Sequence, residues 1–347
     1  MTGVPIALAR RRPDPADSWA LVDRFGRVHR DLRISVTDRC NLRCIYCMPE
    51  AGVEFLPRHE LLSYEELARV AAVAHRLGVV RVRVTGGEPL VRRGLESFIE
   101  LLAGIGFDDL SMTTNAIGLA RRADALAAAG LRRVNVSCDS LRPERFAAIR
   151  RGGDLRVVLE GMAAAERAGL LPVKVNVVVL AGVNDDEVVD FARFARETGR
   201  VVRFIEYMPL DGSGEWERAR VVPSARVLET IAEHWPIEPV PAPEEDPAAP
   251  ATRYRFVDGR GEIGVIPTVT QPFCGTCDRL RLTADGALRN CLFAREETSL
   301  KPLLRGGADD EALARALRET VAAKLPGHGI NEPGFLRPAR SMSMIGG

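Results

Sequence analysis

Val80-Arg-Val-Arg-Val-Thr85 is the stretch on which the fold turns. Successive side chains of a strand point to opposite faces, so Val80, Val82 and Val84 share one face while Arg81 and Arg83 share the other. The pattern recurs twice: Asn135, Ser137 and Asp139 oppose Val134 and Val136, and Lys174 and Asn176 oppose Val173, Val175 and Val177. Central strands of an open sheet covered by helices on both sides would be nearly continuous apolar runs. A strand with one polar face suits a barrel whose interior holds something polar. One such strand could be a solvated edge, but three of them argue for closure.

Outward from that stretch, short β-branched runs alternate with helical patterns between residues 33 and 207, the signature of repeated βα units. Strands are predicted at Arg33–Thr37, Val80–Thr85, Leu110–Thr114, Arg133–Ser137, Val173–Leu180 and Val201–Tyr207. Helices are predicted at Tyr64–Leu77, Gly94–Leu102, Leu119–Ala129, Leu155–Ala168 and Asp185–Thr198. The fold class expected is α/β, a partial (βα)6 barrel of the TIM type. After Tyr207 the pattern changes to a helix near Pro223–His234, strands at Thr252–Val257, Gly261–Ile266 and Arg279–Thr283, and a helix over Asp309–Lys324. The expected organisation is an N-terminal extension (1–25), the barrel (26–235), a Pro-rich linker without periodicity (236–252), an appended C-terminal module (253–325) and a tail (326–347) with no core of its own, ending Gly-Gly.

Composition sets outer bounds. At 347 residues, 46% apolar and 27% charged, the chain can build a sizeable core. Its 48 basic and 47 acidic residues give a net charge of +1, which argues against a nucleic-acid or membrane partner, since those need a broad basic face. No apolar run reaches the ~18 residues of a bilayer span, and Val4–Leu8 is too short for a signal peptide, so the expected location is cytoplasmic. Only Lys174, Lys301 and Lys324 are lysines, so the arginine excess reads as compositional bias. Any anionic ligand must meet a local cluster of cations.

Seven cysteines are too few for a disulfide scaffold, and six of them fall into two groups. Cys40-Asn-Leu-Arg-Cys44-Ile-Tyr-Cys47 follows the first strand, at the barrel mouth where such folds place their active sites. Structural zinc wants four ligands, yet the nearest histidines, His29 and His59, lie eleven or more residues away. Three thiolates on a four-iron cubane would leave one iron open to bind and reduce a ligand. Cys274-Gly-Thr-Cys277 and Cys291 again give three thiolates without a near fourth ligand; a zinc ribbon and a second open cubane both stay in play here. Cys138 reads as a small buried hydrophobe, and the five histidines show no HxxH or HExxH pairing, so none is given a catalytic role.

The CxxxCxxC loop, together with Gly86-Gly87-Glu88-Pro89 after the second strand, resembles the radical S-adenosylmethionine enzymes. The second cysteine group, the run Thr270–Leu282 and the terminal Gly346-Gly347 narrow the resemblance to the GTP 3′,8-cyclase family of molybdenum cofactor biosynthesis, over about residues 20 to 347. The resemblance implies two [4Fe-4S] clusters, a first on Cys40, Cys44 and Cys47 that binds S-adenosylmethionine (SAM), and a second on Cys274, Cys277 and Cys291 that binds substrate. It carries SAM contacts to Tyr46, Gly87, Ser137 and Met208. It carries GTP contacts to Arg33, Arg83, Thr113, Lys174, Arg279, Leu280 and Arg281, and places Gly346 and Gly347 in the active site. The implied reaction converts GTP to (8S)-3′,8-cyclo-7,8-dihydroguanosine 5′-triphosphate: the ribose 3′ hydrogen is abstracted and C3′ adds to guanine C8. The implied partners are an electron-donor protein, a downstream cyclic pyranopterin synthase and a second copy in a homodimer. Two other classes remain at this point, a radical enzyme acting on a peptide and a zinc-stabilised binding module.

Overall fold

The computed structural model describes residues 20–212, 214–241 and 248–346. Most of the N-terminal extension (1–19), part of the linker (242–247) and Gly347 lie outside the described residues. The strands are β1 (Asp31–Ser35), β2 (Arg81–Thr85), β3 (Asp109–Thr114), β4 (Arg133–Ser137), β5 (Lys174–Val179), β6 (Val201–Glu206), β7 (Ile237–Val240), β8 (Thr252–Phe256), β9 (Glu262–Ile266), β10 (Arg279–Leu282), β11 (Ala287–Arg289) and β12 (Thr298–Ser299). The helices are α1 (Tyr64–Arg76), α2 (Leu95–Ile105), α3 (Ala123–Ala128), α4 (Pro143–Arg150), α5 (Leu155–Arg167), α6 (Val188–Thr198), α7 (Ser224–Ala232), α8 (Lys301–Arg305), α9 (Asp310–Ala322) and α10 (Met342–Ile345).

Local chemistry starts and stops these helices. Ser63 and Glu66 close a capping box on α1, and Asp154 and Asp309 cap α5 and α9 through their side chains. Behind β2, β4 and β5, Val82, Val84, Val134, Val136, Val175 and Val177 are all buried against the helical layer, which makes the apolar strand face the core of the molecule.

The sheet runs β12-β11-β10-β1-β2-β3-β4-β5-β6-β9-β8-β7. Strands β1 to β6 are the expected six parallel units, and β10 and β9 extend them in parallel on either side. The C-terminal module is therefore woven into both edges of the barrel, not appended beside it. Four further points differ from expectation. Residues 237–240, expected as linker, form β7 and pair antiparallel with β8 from Ile237↔Phe256 to Val240↔Arg253. α4 was not anticipated, and Leu119–Ala129 divides into a 3-10 turn and α3 around Arg122. The tail has a core after all: Ile345 is fully buried with Leu210, Val221, Val269, Phe293 and Ile330.

Candidate active site

The loop after β1 is pinned from below. Backbone N–H groups of Arg43 and Ile45 donate to the carbonyls of Arg150 and Ile149 at the end of α4 (3.1 and 3.0 Å), and those of Cys47 and Met48 fold back onto the Cys44 carbonyl. Arg150, buried, pairs with Asp139 at 2.9 Å. Asp139 also accepts the Tyr46 hydroxyl (2.8 Å) and the Val178 N–H (2.9 Å), so one buried carboxylate fixes the loop, α4 and β5 together. Cys40, Cys44 and Cys47 are free thiols that line the same cavity. Burial pushes the Cys40 thiol up to about 11, and burial with the neighbouring Cys44 and Cys40 pushes Cys47 higher still. As thiolates the three need a shared cation.

The Gly86–Glu88 turn meets this loop backbone to backbone. Gly87 N–H donates to the Thr37 carbonyl (2.7 Å) and Glu88 N–H to the Arg39 carbonyl (2.8 Å). A Cβ on Gly86, whose φ is +146°, would lie 2.5 Å from the Thr37 oxygen, and one on Gly87 would lie 2.3 Å from the Arg39 oxygen. The glycines are thus required by close approach. Glu88, fully enclosed, accepts from Leu90 N–H (3.0 Å), Thr114 Oγ1 (2.7 Å) and Asn115 N–H (2.6 Å), which ties the turn to the end of β3.

Strand direction separates the two cysteine groups. Cys40 follows the C-terminal end of β1, whereas Cys277 precedes Arg279, which pairs with Asp31 at the first residue of β1. Cys291 follows β11, which runs antiparallel to β10 and so returns to that same lower end. All six thiols nevertheless line one cavity, about 1690 Å³ including its open mouth. Between them its wall carries Arg33, Arg83, Arg203, Arg279 and Arg281, with Thr113, Ser137 and Asn176. Burial, and then the charge of Arg281, presses the Arg33 guanidinium down to about 9; burial and Arg33 do the same to Arg83. A guanidinium keeps its proton at physiological pH, so these directions express repulsion that an anion would relieve. Arg33 Nε and Arg279 Nη1, on residues that line the cavity, are buried without a hydrogen-bond partner among the described residues, donors available to such an anion.

The sequence-derived residues fall unequally. Tyr46, Gly87, Ser137, Met208, Arg33, Arg83, Thr113, Arg279 and Arg281 all line the cavity. Lys174, half-buried at the start of β5, stands outside the residues that line it. Leu280 points into the apolar core, leaving only its backbone for any ligand. Gly346 enters the lumen: Ser35 Oγ donates to the Ile345 carbonyl (2.9 Å), Arg281 donates to the Gly346 carbonyl, and the Ser343 N–H reaches Cys47. Gly347 lies outside the described residues. Sequence reading missed Asp139 as the anchor, Arg150 and Arg203, which donates to Asn176 Oδ1 (2.9 Å) and Asn135 Oδ1 (2.8 Å). The Arg-containing helix had one legible signal, Pro143 at a helix N1 position.

Among the described residues no His, Cys, Asp or Glu trio converges on a single-ion site. The donor type fits an iron–sulfur cluster, since Cys40, Cys44 and Cys47, like Cys274, Cys277 and Cys291, are free thiols lining the cavity.

Residues 34–195 match the radical SAM superfamily, and residues 200–330 match the family described as Molybdenum Cofactor Synthesis C. In three dimensions the chain is similar to Streptococcus suis SuiB bound to S-adenosylmethionine, with a TM-score of 0.58 at 14% identity over 84% of this chain and 68% of that one. It is also similar to native anSMEcpe with bound AdoMet and Cp18Cys peptide, with a TM-score of 0.53 at 17% identity over 79% of each chain. At those identities the likeness speaks for the fold. Fold and site together define a radical SAM enzyme, which removes the zinc-module reading. In sequence the chain is 49% identical to the GTP 3′,8-cyclase of Mycobacterium sp. (strain KMS) over 99% of this chain and 98% of that protein. It is 51% identical to GTP 3′,8-cyclase 2 of Mycobacterium tuberculosis (strain H37Rv) over 94% and 92%. The chain belongs to the GTP 3′,8-cyclase family.

Proposed function

We propose that the lumen binds GTP between two four-iron clusters and joins ribose C3′ to guanine C8, the first step of molybdenum cofactor biosynthesis. One observation carries this reading: two groups of three thiols at opposite ends of a single cavity whose wall holds the buried Arg33, Arg203, Arg279 and Arg281 and the half-buried Arg83. A triphosphate offers the charge those arginines lack, in the bidentate form a guanidinium prefers. A peptide substrate would leave most of them unpaired, which weighs against the peptide-modifying alternative.

Cys40, Cys44 and Cys47 would hold the first cluster, with SAM beside Tyr46, Gly87, Ser137 and Met208. Cys274, Cys277 and Cys291 would hold the second, next to guanine. When bound, these groups supply the one-electron chemistry that breaks the SAM sulfonium and opens the ribose C3′–H bond. The protein's own part is positional. Arg33, Arg83, Arg203, Arg279 and Arg281 bind and orient the triphosphate, Gly86 and Gly87 let the methionyl end approach the backbone, and Met342–Gly346 fill the lumen against water. The reading calls for an electron-donor protein, a cyclic pyranopterin synthase to take the product, and a homodimeric assembly in the cytoplasm. Among the described residues no helix is long and apolar enough to cross a membrane.

Anaerobically reconstituted protein should carry about eight irons per chain, as two four-iron clusters require, and form 5′-deoxyadenosine only when GTP is added. Deoxyadenosine formation indifferent to GTP would overturn the substrate assignment.

A further inference from the structure

Beneath the second cysteine group lies a buried polar knot that the reaction scheme does not use. Lys324, one residue beyond the cap of α9 and only 3% exposed, directs its ammonium at the Cys277 carbonyl (2.9 Å), the Arg279 carbonyl (3.2 Å), His29 Nε2 (2.9 Å) and Cys277 Sγ (3.6 Å). His29 is fully buried, and its Nδ1 faces the Arg27 carbonyl at 3.0 Å. A carbonyl only accepts, so Nδ1 carries the proton and Nε2 accepts from Lys324. The histidine is thereby fixed as a neutral acceptor that aims the ammonium.

Arg27 works beside it. Its guanidinium pairs with Asp23 (2.5 Å) and donates to the carbonyls of Cys274 (2.7 Å), Leu325 (2.7 Å) and Pro326 (3.1 Å). A short hairpin near the N-terminus, bridged Val22↔Val28, thus clasps the cysteine loop to the end of α9. Burying an ammonium is costly unless it is paired. Here the carboxylate within the knot, Asp23, is already engaged by Arg27 and by the Phe25 and Arg27 N–H groups, which leaves the Cys277 sulfur as the anion that faces Lys324.

We propose that Lys324, aimed by His29, is a positioning residue for the second cluster that raises its reduction potential by placing a positive charge and an N–H against the Cys277 sulfur. Adding one electron makes a cluster more negative, and a fixed neighbouring cation stabilises that state; hydrogen bonds to the sulfurs act in the same direction. The inference rests on the second-cluster reading of the preceding section.

The test uses full-length, anaerobically reconstituted protein, iron and sulfide analysis, and EPR-monitored titration with dithionite as the one-electron donor. Lys324→Met and Lys324→Gln remove the charge, while Lys324→Arg keeps it. The expected result is about eight irons in every variant, with the second cluster's midpoint moved to lower potential in Met and Gln, near wild type in Arg, and the first cluster's midpoint unchanged throughout. Should the neutral variants shed the second cluster while Arg retains it, Lys324 holds the cluster instead of tuning it, and the proposal is overturned. A neutral variant with full iron and the wild-type midpoint overturns the proposal, as does an Arg variant that behaves like the neutral ones. Wild-type protein with only about four irons would instead overturn the second-cluster reading itself.

Discussion

Arg203 and Lys174 divide the work that sequence assigned to one set of cations. Arg203 sits on the lumen wall with both of its asparagine partners beside it, so Arg203→Ala should weaken GTP by about 1.5–3 kcal/mol, roughly tenfold or more, while leaving SAM binding unchanged. Equal loss of both ligands in binding assays would indicate a damaged barrel. Lys174 is different because burial, followed by the charge of Arg203, lowers its ammonium to about 7. A triphosphate bound nearby favours the charged form and raises that value, so binding takes up a proton above about pH 7. GTP affinity should therefore fall as pH rises from about 7 towards 9, and Lys174→Arg, charged throughout, should flatten this part of the profile. Calorimetric titrations at several pH values decide it, and identical slopes in the two proteins would refute the linkage. The cysteines were legible because their spacing is local in the chain. Arg203 was not, since it is a single polar residue in an apolar run and only the neighbouring strands show that it faces Asn135 and Asn176.

At the scale of elements, what could be read was whatever repeats at a fixed period. The six barrel strands and the amphipathic helices have that property, and α1, α5 and α6 lie where their apolar spacing puts them. α4 is short and its buried face mixes Phe146 and Ile149 with Arg150, which is spent on Asp139, so periodicity passes over the helix that supports the first cysteine loop. β7 was hidden by Pro239 and by a partner outside the six βα units. The Gly86–Glu88 turn was legible in kind but not in cause: what demands glycine is the Arg39 carbonyl, 2.3 Å from where a Cβ would stand on Gly87. That oxygen belongs to backbone held by the Glu88 N–H and cannot retreat cheaply. Gly87→Ala should destabilise the protein by about 1–3 kcal/mol, the usual cost of overpacking. Because the clash falls on the first cysteine loop, iron should be lost there and retained on Cys274, Cys277 and Cys291. Thermal denaturation with iron analysis checks both halves, and an unchanged melting temperature at full iron would show that the loop yields.

In the whole molecule the two cysteine groups are held apart by strand direction and joined by the tail. β9 and β10 flank the barrel on opposite edges, so the chain between them delivers Cys274 and Cys277 to the lower end while Cys40 stays at the upper one. The tail then enters from above: Met342 N–H bonds the Leu210 carbonyl, Ile345 is sealed in its own core, and Gly346 reaches Arg281. Sequence showed that two glycines are slender but not where they go, because the contacts span more than three hundred residues of chain, from Ser35 to Ile345. A Cβ on Gly346, whose φ is +83°, would collide with Ser35 Oγ and fall 2.8 Å from Thr85 Cγ2, so alanine there is strained and forces either those side chains to turn aside or the tail to withdraw. Gly346 bonds Arg281 and lies against Ser35 and Thr85, whereas the tail's contacts to Cys47 and Cys274 come from Ser343 and His328, upstream of it. Gly346→Ala, or deletion of Gly346 and Gly347, should therefore keep both clusters and most GTP affinity while sharply lowering cyclised product per 5′-deoxyadenosine formed. The comparison is an anaerobic single turnover with GTP at matched iron content. A product-to-deoxyadenosine ratio equal to that of the full-length protein would mean that the tail fills the lumen without guiding the reaction.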